Sequence, residues 1–231
     1  MQRQSRKTKQ KNKTEGQDRK DTAAVMKIYD ITQEVFTCNV FPGDPAPSYE
    51  RALEIGKGSI CNLTTVSMCA HNGTHLDAPW HFYENGKKVE ELDLDRCIGE
   101  ATVVTMEGEL TAEAIRAVME KETCKKRLLI RGKAVVTLEA AKEMNRQGIL
   151  LAGVESQTVG PEDGPAQVHY ELLGKEVILL EGLVLEQVSD GNYFLSAAPL
   201  KLGGADGAPC RAVLIAGEAG KINGDPDILL H

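Results

Sequence analysis

Three of the five histidines in this chain fall within the eleven-residue run His71-Asn72-Gly73-Thr74-His75-Leu76-Asp77-Ala78-Pro79-Trp80-His81. His71, His75, Asp77 and His81 are separated by even steps. In extended backbone, even steps project side chains from one face, so a strand-like segment would aim three imidazoles and a carboxylate at a common point. A helix would set His75 beside His71 but turn Asp77 away. Pro79 pushes Ala78 toward extended geometry, and Gly73 lets the backbone bend around an ion. Neutral imidazole with carboxylate suits a divalent cation such as Zn²⁺, Mn²⁺ or Fe²⁺. A set without thiolate favours a catalytic site, open to water, over a closed structural one.

Two distant residues are further candidates. His169 lies on an expected helix, and Glu181 ends the apolar run Val177-Ile178-Leu179-Leu180, where a carboxylate is costly unless paired or metal-bound. Spacing alone does not decide either. Trp80 and Phe82 flank His81 and offer rings for an aromatic substrate, although their parity is opposite to that of the ligands, so packing away from the site is expected for at least one. Thr74 is a candidate donor to a ligand carboxylate. Asp44 and Asp206 lie in turn-rich stretches and read as turn formers.

The elements that must position these residues read as a mixed α/β domain. Alternating or apolar runs predict strands at 27–32, 49–55, 60–70, 101–106, 127–130, 149–154, 177–180, 193–197 and 212–216. Thr111 and Thr137 are expected N-caps of helices reaching about Lys121 and Gln147, the second ended by Gly148. Pro165 suits the first turn of a helix to Leu173. The stretch Gly203–Pro209 reads as a turn. Strands dominate the first half and alternate with helices in the second, which points to one α/β domain built around β-sheet.

Composition narrows the function classes. The 231 residues are 42% hydrophobic and 26% charged, enough to bury a core without disulfides. Six scattered cysteines, with no C-x-x-C pair, read as reduced thiols of a cytoplasmic protein. Residues 1–20 carry eight Lys or Arg against two acids, a balance of +6, so the remainder carries −13 of the net −7. An acidic body argues against nucleic acid as a partner. Residues 1–25 read as a solvated basic tail without the apolar core of a secretory signal, with Met26 an alternative start and 26–231 the folded domain. No apolar run reaches the ~18–20 residues of a membrane span.

Taken together, these residues resemble the cyclase family, which includes bacterial kynurenine formamidase and isatin hydrolase. The pattern H-x-G-T-H-x-D-x-P-x-H appears whole at His71–His81. Phe41-Pro42-Gly43-Asp44-Pro45, the helix His169–Leu173, Glu181-Gly182-Leu183, Pro199-Leu200-Lys201 and Asp206 through Ala212 are similar to further family segments. The resemblance implies metal ligation by His71, His75 and Asp77. It implies either a second ion held with His81, His169 and Glu181, or one ion with His81 as a proton shuttle. It also implies a homodimer or homotetramer. The chain departs from the pattern at Glu155, at Gly160 and at Tyr170, which replaces a usual second histidine.

The expected activity is therefore metal-assisted hydrolysis of a small-molecule amide, arylformamidase-like, with one or two Zn²⁺ or Mn²⁺ ions. His81, or Glu181, would relay the proton to the leaving nitrogen. Hydrolysis of a cyclic amide such as isatin, a polyketide-type cyclisation or dehydration, and metal binding without catalysis are the competing readings.

Overall fold

In the computed structural model, which describes residues 26–121 and 123–217, the apolar runs of the sequence become strands and the Thr-capped segments become helices. The chain passes through β1 (Lys27–Asp30), β2 (Ser48–Leu53), β3 (Leu63–Ser67), β4 (His75–Asp77), α1 (Leu94–Cys97), β5 (Ile98–Thr105), β6 (Gly108–Leu110), α2 (Ala112–Met119) and β7 (Arg127–Arg131). It continues through β8 (Ala134–Val136), α3 (Leu138–Arg146), β9 (Leu151–Val154), α4 (Ala166–Leu173), β10 (Ile178–Glu181), β11 (Gly191–Ser196), β12 (Gly207–Pro209) and β13 (Val213–Ala216). The expected basic tail at 1–25 lies outside the described residues, as does His231.

Nine strands form one mixed sheet in the order β1-β13-β11-β5-β7-β9-β10-β4-β12. Its centre, β5-β7-β9-β10, is parallel. Parallel neighbours need crossover connections, and α2, α3 and α4 supply them. Thr111 and Thr137 cap α2 and α3 as the sequence predicts, each hydroxyl accepting a backbone N–H at 3.2 Å. The central strands are apolar on both faces because both faces are covered. Leu128, Ile130, Ala152 and Leu179 meet Ile115 of α2, Met144 of α3 and Leu172 of α4. The alternate residues Leu129, Leu151, Ile178 and Leu180 face a second core with Leu76, Leu195 and Leu214.

Leu172 is fully buried and anchors α4 to this sheet. Leu172→Ala is expected to cost about 2–5 kcal/mol, read by denaturant titration, from lost burial plus the cavity left behind.

The stretch around residues 203–209 is only partly the expected turn. Gly207–Pro209 pairs with β4 as an edge strand, a register that local turn composition does not reveal. The hairpin β2–β3 stands apart from the main sheet, with every strand residue exposed. Among the described residues, no helix is long and apolar enough to cross a membrane.

Candidate metal centre

β4 and β10 lie antiparallel, with His75 opposite Glu181 and Asp77 opposite Leu179. Leu76 and Leu180 point into the second core. By alternation, His75, Asp77 and Glu181 therefore project to the face covered by α4. Helix α4 carries the buried His169 onto the same spot.

The histidine run is not the single extended segment that its even spacing predicts. Only His75–Asp77 is strand. Gly73, at φ +68°, turns the chain between His71 and His75. Pro79 starts a 3₁₀ turn that ends at His81, since its fixed φ suits the first position of such a turn. Alternation thus accounts for His75 and Asp77, while two turns deliver His71 and His81.

Backbone carbonyls fix the tautomers of two of these rings. His75 Nδ1–H donates to the Gly73 carbonyl (3.0 Å), and His169 Nδ1–H donates to the Pro165 carbonyl (3.0 Å). A carbonyl only accepts, so in each neutral ring the lone pair lies at Nε2. His75 Nε2 lies 3.3 Å from Glu181 Oε2 and 3.5 Å from Asp77 Oδ1. His169 Nε2 lies 3.4 Å from Glu181 Oε1 and 3.5 Å from Asp77 Oδ2. His71 Nδ1 is 2.9 Å from Asp77 Oδ1. Glu181 Oε1 also accepts the Val159 N–H (2.7 Å).

Two lone pairs facing two carboxylates repel unless a cation lies between them. Without metal, protons take that place. Burial opposes charge on His75, but Asp77 and Glu181 outweigh it and push the imidazole up to about 10. Burial likewise opposes charge on His169, and the same two carboxylates push it up to about 10. Burial of His71 is overcome by Asp206 and Asp77, which push it up to about 11. Burial alone would raise Asp77, yet His169, His71 and His75 hold its carboxyl well below the usual carboxylate range.

These residues fit a divalent cation. His75 Nε2 is buried and has no hydrogen-bond partner among the described residues. Separations of 3.3–3.5 Å exceed the ~2.7–2.9 Å of charge-assisted hydrogen bonds. They lie close to the ~3.3–3.4 Å edge of a tetrahedron with ligand bonds of ~2.0–2.1 Å, whereas His71 Nδ1 and Asp77 Oδ1, 2.9 Å apart, are at hydrogen-bond distance. Among the described residues three candidate ligand groups overlap: His71-His75-Asp77 and Asp77-His169-Glu181 share Asp77, and His71-His81-Asp206 adjoins them through His71.

Beside the cluster opens a cavity of about 190 Å³. Phe41, Phe82 and Pro165 form its apolar wall, and Asp44, Gln157 and Thr158 add polar groups. Phe82 also packs on His81 and His169, with ring centroids 4.8 Å away in each case. Trp80 is not part of this lining. Its ring lies under Lys88 Nζ, 5.1 Å from the centroid.

Other sequence expectations change as well. Thr74 donates to the Gly182 carbonyl and accepts the Gln33 N–H, bracing two loops instead of a ligand carboxylate. Glu155 accepts the Gly132 and Leu185 N–H groups, a structural tie. Asp206 is the residue that sequence reasoning missed. It forms more than a turn, since its Oδ2 lies 2.9 Å from both His71 Nε2 and His81 Nδ1. The signal available was the similar D-G-x-P segment, whose chemistry is invisible without its partners.

Known proteins share this sequence pattern and this fold. The Cyclase family model ("Putative cyclase") matches residues 29–161. A kynurenine formamidase of Bacillus thuringiensis subsp. konkukian is 34% identical over 193 residues, covering 75% of this chain and 90% of its own. A solved structure described as a potential metal-dependent hydrolase with cyclase activity superposes with TM-score 0.72 at 27% identity, over 83% of this chain and 98% of its own. Isatin hydrolase A from Labrenzia aggregata, at 24% identity, shares the fold with TM-score 0.72 over 83% of this chain and 94% of its own. With the family model matched over more than half of its length, this chain belongs to the cyclase family.

Proposed function

We propose that this protein hydrolyses the carbon–nitrogen bond of an aryl formamide such as N-formylkynurenine, releasing formate and the aryl amine. The observation that carries the proposal is the buried facing of two imidazole lone pairs and two carboxylates beside an aromatic-walled cavity. About 190 Å³ accommodates an aromatic ring, given that ~150 Å³ holds benzene. The relatives named kynurenine formamidase support the same reaction class: a metal-dependent amide hydrolase.

His71, His75, Asp77, His169 and Glu181 would hold Zn²⁺ or Mn²⁺, as one or two ions, with His71 and His75 on one side of Asp77 and His169 and Glu181 on the other. A divalent cation there supplies Lewis acidity, which polarises a carbonyl and acidifies water toward neutral pH. His81 donates Nδ1–H to Asp206, so its Nε2 is the free basic nitrogen at the pocket. Nε2 takes the proton of the attacking water and delivers it to the leaving nitrogen. Glu181 is committed to two imidazoles and the Val159 N–H, which favours a ligand role for it over proton transfer.

Phe82 is the ring that meets the substrate. Phe82→Ala is expected to raise KM about 5–10-fold, the ~1–1.5 kcal/mol of one aromatic contact. Trp80→Ala should leave KM unchanged, because its ring lies under Lys88 outside the pocket.

A second copy of the chain is the proposed cover for the β2–β3 hairpin. Tyr49, Leu53, Leu63 and Val66 are exposed there, and a lone two-stranded ribbon is marginal in water. Light scattering should report a homodimer or homotetramer, and Val66→Asp should shift it toward monomer. A cytoplasmic location fits six cysteines that are all free thiols.

The test is elemental analysis of protein purified without added metal, paired with turnover of N-formylkynurenine, isatin and simple anilides. Chelator-sensitive formamide hydrolysis supports the reading. Turnover of isatin alone would move the substrate to cyclic amides. Tight metal binding with no turnover would overturn the hydrolase reading.

A further inference from the structure

We infer that Asp206 is a positioning residue that fixes the tautomers of two imidazoles at once, presenting His71 through Nδ1 to the cation site and His81 through Nε2 to the pocket. The kinetic consequence of this inference rests on the hydrolase reading above.

One carboxylate oxygen, Oδ2, lies 2.9 Å from both His71 Nε2 and His81 Nδ1. An ionised carboxylate has no proton to give, so both ring nitrogens are the donors. With Nε2–H committed, His71 has only Nδ1 to offer a cation, and Nδ1 is the atom 2.9 Å from Asp77 Oδ1. With Nδ1–H committed, neutral His81 keeps its lone pair at Nε2. The partner of one ring nitrogen thus decides what the other does.

The surrounding backbone holds this arrangement in place. The two rings lie 4.3 Å apart at 33°, so a single oxygen clamps a tilted stack. The Asp206 carbonyl accepts the Ala78 N–H (2.9 Å), and β12 pairs with β4 so that Gly207 faces Asp77. A Cβ at Gly207 would come within 2.7 Å of His71 Cε1 and 2.9 Å of the Leu76 carbonyl oxygen. Glycine after Asp206 is therefore what lets the His71 ring lie against the backbone. Side-chain exposure rises from 13% at His71 to 29% at His81 and 38% at Asp206, so the clamp closes the solvent side of the cluster.

The experiment compares the full chain with Asp206→Ala, Asp206→Asn and Asp206→Glu. Imidazole ¹⁵N shifts report which ring nitrogen carries the proton, for His81 in the metal-free proteins and for His71 in the zinc-loaded ones. Zinc competition against a chromophoric chelator reports affinity. Wild type should show His81 as the Nδ1–H form. Asp206→Ala should lose that preference and bind zinc ~10–100-fold more weakly, the usual effect of removing a carboxylate behind a ligand histidine. On N-formylkynurenine, kcat should fall ~10–100-fold with KM nearly unchanged, its pH profile should shift, and Asp206→Glu should restore part of the loss.

Circular dichroism and thermal melting identify folded variants. If Asp206→Ala does not fold, the near-isosteric Asp206→Asn carries the comparison. A folded Ala or Asn variant with wild-type tautomers and zinc affinity would overturn the inference. If the wild type turns over no aryl formamide, the hydrolase reading fails while the tautomer and zinc measurements still decide the role of Asp206.

Discussion

Asp77→Asn is expected to remove the metal and the activity together, a larger effect than any other single substitution in the site. Asp77 joins the candidate group of His71 and His75 to that of His169 and Glu181. Its Oδ1 faces His71 and His75 while its Oδ2 faces His169, and the side chain is buried. The amide keeps the volume but loses the charge and one acceptor, and it turns an NH₂ group toward rings that already carry N–H. Elemental analysis should find metal below a tenth of the wild-type content. kcat/KM on N-formylkynurenine should fall by ~10³-fold or more, which is about 4 kcal/mol of transition-state stabilisation. His75→Ala should follow the same pattern. Wild-type metal content in Asp77→Asn would mean that the cation lies elsewhere.

Metal uptake by the stripped protein should release protons, about three per chain when both proposed positions fill. His71, His75 and His169 are pushed up to about 11, 10 and 10, so all three carry an extra proton at neutral pH when no cation is bound. A cation competes for the same lone pairs. A weakly buffered indicator at pH 7.5 should record the release on adding Zn²⁺ or Mn²⁺. Affinity should climb about tenfold per pH unit for each proton displaced, until pH nears the raised imidazole values.

Stability of the metal-free protein follows from the same shifts. The three histidines have raised values in the fold, so their contribution is full below about 6.5 and is lost as pH rises through about 10. Asp77 has a lowered value, so its contribution is present above about 3.8 and is lost as pH falls through that lowered value. The melting temperature of stripped protein should therefore be highest between about pH 3.8 and 6.5 and drop on both sides, the alkaline drop setting in above about 6.5. In the metal-loaded protein the alkaline drop should disappear, because the cation replaces the protons. A stripped protein that releases no protons on metal addition would contradict this account.

Much of the fold was legible because its causes are local. The Thr111 and Thr137 caps, the buried runs of β7, β9 and β10, and the breaks at Gly148 and Pro165 each depend on a few neighbouring residues. The same holds for the hairpin and sheet strands, whose bounds shift by a few residues at most sites, and by three at each end of β3. The chemistry of the run from His71 to His81 was also legible, since residue type and spacing lie within eleven positions. The geometry assigned to that run was not. Even spacing predicts one extended face, whereas Gly73 and Pro79 impose turns that strand alternation does not describe.

The sequence by itself determined which side chains are able to bind a cation, and it marked His169 and Glu181 as candidates without joining them to the others. Tertiary structure decided the rest: that Glu181 faces His75, that α4 lowers His169 onto Asp77, that Phe82 and not Trp80 lines the pocket, and that Asp206 clamps two rings. The reason is register. The pairings of β4 with β10 and with β12 are fixed by burying Leu76 and Leu180 in one core and Leu179 in the other. A slip of one residue would turn Glu181 to the opposite face, and because β10 buries apolar side chains on both faces, its own pattern does not reveal which face the carboxylate takes.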